Sequence, residues 1–490
     1  MGAIRAAIAD AGAGPSITGM PDPAIRTLDR RHFLGTAVAV ALGTGRGLGA
    51  QQVAPRRPRP SRAQLAWQRD ELAMFIHFGV NTFTDREWGD GTERPAIFDP
   101  SALDARQWAR TARAAGFKAM VLTAKHHDGF CLWPTATTPH SVRSSPWRGG
   151  QGDLVREFVD ACRAEGLKPG LYLSPWDRNA SSYGQGEPYM AFYLAQLTEL
   201  LTRYGDIHEV WFDGANGEGS NGKRQSYDWG RIWTSVKEMQ PDAVIFSDAG
   251  PEVRWIGNEN GVAGETNWSI VDPRIVRVPG VTGDEVMRSL REGDRTGIVW
   301  RPGETDVSIR PGWFHHPAED SRVKSVEQLV EIYFTSVGRN SKLLLNVPPT
   351  RAGLLHATDV ERLAGMRTRL DALFGDDLAR GDEARWVATS PTTAVGTLTF
   401  AREQRVGIVD LREDIWQGQR VARYSVEGLV GETWRPLARG TTIGHRKLDR
   451  IAPVRLRGIR VSIEDAIEAP LSVGIHLYAD DAAPIVPGQP

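Results

Sequence analysis

Trp211-Phe212-Asp213-Gly214 closes the apolar run Ile207-His208-Glu209-Val210 with a carboxylate and then a glycine. If that run is a buried strand of a parallel barrel, Asp213 stands at its C-terminal mouth, where barrel enzymes hold their chemistry. Trp211 and Phe212 would give the carboxylate a dry, rigid surround, and Gly214 would let the chain turn away. Other polar clusters also follow apolar runs. His77-Phe78-Gly79-Val80-Asn81 is followed by Glu87-Trp88-Gly89, and later come Lys125-His126-His127-Asp128-Gly129-Phe130-Cys131-Leu132-Trp133 and Ser174-Pro175-Trp176-Asp177. No core strand would tolerate such runs, so their convergence on one barrel face reads as an active site.

The residue types narrow the chemistry. Adjacent His126 and His127 could bind one metal ion only where the strand has already ended, because strand neighbours point to opposite faces. Neither a His-X-His pair nor a helical pair four apart occurs, so no metal is expected, although Asp128 and Asp213 could complete a site. There is no Gly-X-Ser-X-Gly elbow for a serine nucleophile. Gly214-Ala215-Asn216-Gly217-Glu218-Gly219 lacks the Lys-Ser/Thr of a phosphate-binding loop. Carboxylate chemistry remains. Glycoside hydrolysis needs two carboxyls flanking one bond; in a retaining enzyme one attacks the anomeric carbon and the other first protonates the leaving oxygen. Asp213 suits the first role, and the second carboxyl must come from elsewhere.

The elements that would position these groups alternate from Leu72 onward, short apolar runs with amphipathic helical segments, as in parallel strands joined by crossover helices. Eight strands are expected: Met74–Val80, Lys118–Thr123, Lys168–Ser174, His208–Asp213, Ala243–Ser247, Glu265–Ser269, Thr305–Arg310 and Lys342–Val347. Val253–Ile256 competes with Glu265–Ser269 for the sixth place. Leu103–Ala115 and Leu154–Glu165 carry helical periodicity and end near Gly116 and Gly166. The fold class is therefore α/β, a (β/α)8-type barrel over residues 64–375. After a helical stretch from Val360 to Phe374, short alternating runs separated by charged turns indicate a C-terminal antiparallel β-sandwich over residues 380–480, with a hairpin from Glu427 to Leu437. That module either binds carbohydrate or buttresses the barrel.

Composition bounds the partners. Lys and Arg total 59 against 60 Asp and Glu, so nothing indicates an electrostatic grip on nucleic acid or an anionic membrane. The 16 Trp suit a protein that packs flat rings against sugars, a count that structural Trp would give equally. Cys131 and Cys162 alone exclude a disulfide framework and read as buried free thiols. Leu28-Asp29-Arg30-Arg31-His32-Phe33-Leu34 precedes a small-apolar run from Gly35 to Gly43, which resembles a twin-arginine export signal over residues 1–50. Residues 51–63, rich in Pro and Arg, read as a linker, and the mature enzyme should begin near Gln64. A periplasmic or secreted protein without membrane insertion is expected.

Phe75-Ile76-His77-Phe78-Gly79, the Lys125–Trp133 run and Trp211-Phe212-Asp213-Gly214, in that order at strand ends, resemble the α-L-fucosidases of glycoside hydrolase family 29. The resemblance implies a barrel followed by a β-sandwich, no cofactor, and hydrolysis with retention of terminal α-L-fucose from oligosaccharides or glycoconjugates. It places Asp213 at the nucleophile's position and His77, His126 and His127 among the residues that hold the fucose hydroxyls. Glu87, Trp88, Trp133, Trp176, Trp211 and Trp313 are the further sugar-lining candidates. Arg254-Trp255-Ile256-Gly257-Asn258-Glu259 resembles the subgroup that cleaves α-1,3 and α-1,4 fucosyl branches, which makes Glu259 the expected acid/base and Glu265 the runner-up. Trp313 after the seventh strand could pack on the sugar's methyl group, and Asn346 at the end of the eighth receives no role. A related exoglycosidase of other sugar preference and a catalytically silent carbohydrate-binding protein are the alternatives.

Overall fold

The computed structural model describes residues 57–470 and 473–480; the expected leader and most of the linker lie outside them. The chain enters through helix α1 (Arg62–Arg69), whose start is fixed by a capping box in which Ser61 and Gln64 satisfy each other's backbone N–H groups. The last residues assigned to the linker are therefore already helical.

Eight short parallel strands follow: β1 (Leu72–Ile76), β2 (Ala119–Lys125), β3 (Lys168–Leu173), β4 (Glu209–Trp211), β5 (Val244–Phe246), β6 (Arg254–Trp255), β7 (Gly303–Ser308) and β8 (Ser341–Asn346). Hydrogen bonding runs β5-β4-β3-β2-β1-β8-β7-β6. A bridge between Phe246 and Val253 nearly closes the ring. The crossover helices include α2 (Ala105–Ala114), α3 (Leu154–Ala164), α4 (Glu187–Arg203) and α5 (Trp229–Met239), then α6 (Asp284–Glu292), α7 (Val326–Thr335) and α8 (Ala357–Phe374). Asp104, Asp153 and Asp228 cap α2, α3 and α5 by accepting a backbone N–H three residues on. Gly116 and Gly166, at φ of 90° and 69°, reverse the chain after α2 and α3 as their positions predicted.

Strand alternation sorts the side chains. Met74, Ile76, Met120, Leu122, Leu171, Leu173, Val210, Phe212, Leu343 and Leu345 join the apolar layer under the helices. Their neighbours turn inward, where Phe75 of β1 reaches Tyr172 of β3 and Trp211 of β4, with ring centroids 5.9 and 5.3 Å apart. Below them lies a charged floor. Lys342 Nζ sits 3.1 Å from Glu209 and 4.0 Å from Glu304, all three fully buried, and the Trp67 and Trp211 indoles each donate to one of the glutamates. Burial, then the Glu209 charge, pushes the Glu304 carboxyl up, as expected of two glutamates that share one lysine.

The sixth strand corrects the sequence expectation. It is Arg254–Trp255, and Glu265–Ser269 makes no barrel strand. The Arg254 guanidinium is buried against the carbonyls of Leu290 and Arg301 and the side chain of Asn267, so a charge interrupts the apolar pattern that would have marked the strand. The residues after Ser269 instead pair antiparallel with 299–300.

The C-terminal strands are β9 (Arg385–Ser390), β10 (Thr393–Arg412), β11 (Val421–Val430), β12 (Thr433–Gly440), β13 (Lys447–Ala466) and β14 (Gly474–Tyr478). They form one continuous antiparallel sheet in the order β9-β10-β13-β11-β12, with β14 on β10. The long strands β10 and β13 shift register near Thr399 and Val406, which bends the sheet around a core that includes Leu398, Val409, Tyr424, Leu456, Ile459 and Leu477. The expected hairpin is β11–β12, with Glu427 opposite Pro436. Arg446 on this sheet bonds both Asp410 and Glu71, the residue before β1, and Gln419 donates to the Asn267 carbonyl. Such contacts brace the barrel. Among the described residues no helix is long and apolar enough to cross a membrane.

Candidate active site

Asp213 follows β4 with its carboxylate turned into the barrel mouth, the side chain one-fifth exposed. Its Oδ1 accepts the Ala215 N–H at 2.7 Å and its Oδ2 accepts the Tyr172 hydroxyl at 3.0 Å. The carboxylate is thus oriented while keeping lone pairs free. Gly214 is required for a reason other than turning: a β-carbon there would lie 2.1 Å from an oxygen of Asp248 and 3.0 Å from the Gly280 nitrogen. Burial first, then the Asp213 charge, raises the Asp248 carboxyl to about 6, against a hydrogen bond from the Gly280 N–H.

The three histidines surround this carboxylate. A register shift between Thr123 and Lys125 puts a bulge in the last residues of β2 before the strand ends at Lys125. Lys125 swings outward into a buried ion pair with Asp177 at 2.9 Å, and both following histidines reach the mouth. Their rings lie 4.1 Å apart, and His126 is 5.7 Å from His77. The His127 Nε2 is 3.7 Å from Asp213, and its Nδ1 lies 2.7 Å from the Ser174 hydroxyl. Because that hydroxyl donates to the Trp176 carbonyl, His127 must supply the proton at Nδ1, leaving Nε2 as an acceptor at the site. Asn346 does the same for His77. Its NH2 group donates to the Trp313 carbonyl and Ser308, so its oxygen takes the His77 Nδ1–H at 2.9 Å. Burial is the main cause that holds all three rings neutral, His77 at about 3, His127 at about 4 and His126 well below its ordinary value. Among the described residues no three His, Cys, Asp or Glu side chains are grouped to hold a metal ion.

Glu259 stands on the loop after β6. Burial, then the Asp213 charge, raises its carboxyl to about 7, against a hydrogen bond to the Trp313 indole. Glu265 is elsewhere: its side chain is 66% exposed and pairs with Arg339 and Lys447, and its carboxyl lies below the usual range. The geometry leaves it no part in the mouth.

The aromatic candidates divide. Trp313 and Trp176 face His77 and His127 at 5.1 and 4.9 Å, and Trp88 stands edge-on to His127 at 5.8 Å. Trp211 stacks on Phe246 at 4.2 Å and forms the layer beneath Asp213. Trp133 requires correction: it is fully buried, with its indole donated to Glu199 at 2.7 Å, because the chain after β2 dives under α4. It offers no face to a sugar. Glu87 reaches the mouth but spends its oxygens on the backbone N–H groups of Trp313 and Phe314 and on His316.

Three participants escaped the sequence reading. Tyr172 alternates with Gly170 on β3 and with Ser174 just past its end, and that two-residue period was the available signal. Asp306 on β7 is buried and accepts the Trp255 indole at 2.8 Å; burial and then the Glu259 charge raise its carboxyl well above the usual range. Asn346 was seen but given no task.

A parallel barrel whose mouth combines an oriented carboxylate, a second carboxyl held protonated near neutrality and neutral histidines among tryptophans is a glycosidase-class site. Residues 92–372 match the family model described as alpha-L-fucosidase. Alpha-L-fucosidase 1 of Arabidopsis thaliana is 42% identical over 457 residues, covering 87% of this chain and 88% of the relative. The crystal structure of SpGH29 superposes with a TM-score of 0.81 at 40% identity, covering 87% of this chain and 100% of that one. A Ruminococcus gnavus GH29 fucosidase in complex with fucose gives 0.78 at 32% identity, covering 87% and 96%. The chain belongs to the α-L-fucosidase family, glycoside hydrolase family 29.

Proposed function

We propose that this chain is an exported, retaining exo-α-L-fucosidase that removes terminal fucose, α-1,3- or α-1,4-linked, from oligosaccharides or glycoconjugates. The observation that carries the reading is the different setting of its two carboxyls: Asp213 is oriented by Tyr172 and Ala215, while burial and the Asp213 charge keep the proton on Glu259 to about pH 7. In the first step an Asp213 oxygen attacks the anomeric carbon, the glycosidic C–O bond breaks, and Glu259 gives its proton to the leaving oxygen. Forming the ester removes the Asp213 charge that raised the Glu259 pKa, so the Glu259 carboxylate left by the first step stays ionised and can act as a base. It takes one from water, and the hydroxide oxygen displaces Asp213. The acceptor nitrogens of His77 and His127 take sugar hydroxyls, and Trp313, whose ring faces His77 at 5.1 Å, covers the apolar methyl group in this reading. A surface of this kind tells methyl from hydroxymethyl by only about 1–3 kcal/mol, so steric exclusion must add to it. Export rests on the twin-arginine pattern at Arg30-Arg31.

The test is incubation with a 2-fluorinated fucoside followed by peptide mass mapping. A fucosyl adduct on Asp213 is expected, absent in Asp213→Ala. Turnover of a chromogenic α-L-fucoside should be compared with that of a trisaccharide bearing an α-1,3 or α-1,4 fucosyl branch. Release of no fucose from either refutes the proposal.

A further inference from the structure

His316 has no part in the chemistry just described, yet both its ring nitrogens are spoken for. Nδ1 lies 2.9 Å from Asp85 Oδ1 and Nε2 lies 2.9 Å from Glu87 Oε2. Ionised carboxylates only accept, and a neutral imidazole has one N–H, so this geometry is satisfied by the imidazolium. The side chain is 16% exposed. The other charges facing it come from its own segment: a β-carbon on Gly312 would lie 3.0 Å from the His316 ring and 3.3 Å from Glu319, and Glu319 has Arg322 at 3.9 Å. Burial opposes the charge, but Glu87 and Asp85 outweigh it and raise the ring above its ordinary value.

The contacts beyond Glu87 lead to the site. Its other oxygen accepts the Trp313 backbone N–H. The Trp313 carbonyl accepts Asn346, which orients His77, and the Trp313 ring faces His77 with centroids 5.1 Å apart. One protonated ring therefore ties the segment from Pro311 to His316 to the loop after β1.

We propose that His316, as an imidazolium held between Asp85 and Glu87, is a positioning residue that pins Trp313 against the sugar site, so that loss of its proton frees this segment and weakens fucoside binding. The kinetic part rests on the fucosidase reading; the titration part does not. Three measurements test it. The His316 ring is titrated by NMR in the free protein, where it should hold its proton above the ordinary histidine range and lose it at lower pH in Asp85→Asn, a change at a half-exposed side chain. With a chromogenic fucoside whose leaving group needs no acid, KM should rise roughly tenfold through that same pH, the order expected for loss of a charged hydrogen bond, while kcat changes less. In Asp85→Asn the rise should move to lower pH, in His316→Gln KM should be high at every pH, and in His316→Arg, which keeps a cation, the alkaline rise should be absent. A ring that titrates at or below the ordinary value, or a KM profile identical in wild type, Asp85→Asn and His316→Gln, overturns the proposal. Wild-type protein that cleaves no fucoside instead refutes the functional reading, and the NMR titration alone then decides whether the ring is the clamp described.

Discussion

Replacing Glu259 by Gln should stabilise the protein under mildly alkaline conditions. Burial and the Asp213 charge raise this carboxyl from 4.5 to about 7. Each unit corresponds to about 1.4 kcal/mol, so ionising Glu259 in the folded protein costs at most roughly 3 kcal/mol. The side chain keeps some contact with water, and screening brings the expected effect to about 1–2 kcal/mol. The sign follows from linkage. The unfolded chain releases this proton near 4.5 and the folded one near 7, so stability is fully present below the first value and falls as pH rises through the second. Gln cannot ionise and removes that fall. Urea unfolding of wild type and Glu259→Gln at about pH 4 and about pH 8 measures it: little difference at the lower pH and a gain of about 1–2 kcal/mol at the higher. Glu265→Gln is the control of opposite sign, because its carboxyl is held below the usual range by Lys447 and Arg339 and its loss should cost stability at about pH 8. A Glu259→Gln protein that is no more stable than wild type at about pH 8 would show that burial and Asp213 do not hold the proton on this carboxyl.

Tyr172→Phe removes the hydroxyl 3.0 Å from Asp213 while keeping the ring stack; kcat/KM for a chromogenic fucoside should fall by the equivalent of about 1.5–3 kcal/mol with the thermal midpoint little changed. Gly214→Ala brings a β-carbon to within 2.1 Å of an Asp248 carboxylate oxygen and 3.0 Å of the Gly280 nitrogen, so either that side chain or the backbone beside Asp213 must shift; activity should drop by about a hundredfold in a protein that still folds, read from fucoside turnover and circular dichroism. Trp133→Phe keeps most of the ring but leaves Glu199 without its indole donor, which predicts a loss of about 1–3 kcal/mol in urea unfolding and an unchanged KM. A raised KM in that variant would return Trp133 to the sugar site.

The barrel was legible because β1 and β2 are nearly uninterrupted apolar runs and β3 and β8 carry apolar stretches, buried on both faces and set between helical segments. The sixth strand was not, since two residues, one of them a buried arginine, carry no pattern of their own. The C-terminal strands were equally plain from alternation, but that β10 and β13 run through 20 residues each and bend at bulges was not, because a register shift is a property of the pair.

Residue order alone determined that a carboxylate closes the β4 run, that His77, His126 and His127 stand at strand ends, and that the charge balance favours no polyanion. Those are facts of spacing and composition, which local periodicity turns into faces and ends. Only the tertiary structure decided which glutamate comes under the Asp213 charge. Glu259 and Glu265 are six residues apart and chemically identical. One is partly buried under the Asp213 charge and keeps its proton to about pH 7, whereas the other meets Arg339 and Lys447 at an exposed position and gives its proton up. A carboxyl's pKa is set by neighbours brought together in space, and Asp213, Trp313, Arg339 and Lys447 all come from other parts of the chain. The same holds for Tyr172, Asn346 and His316, whose tasks are hydrogen bonds across the barrel mouth that no local pattern encodes.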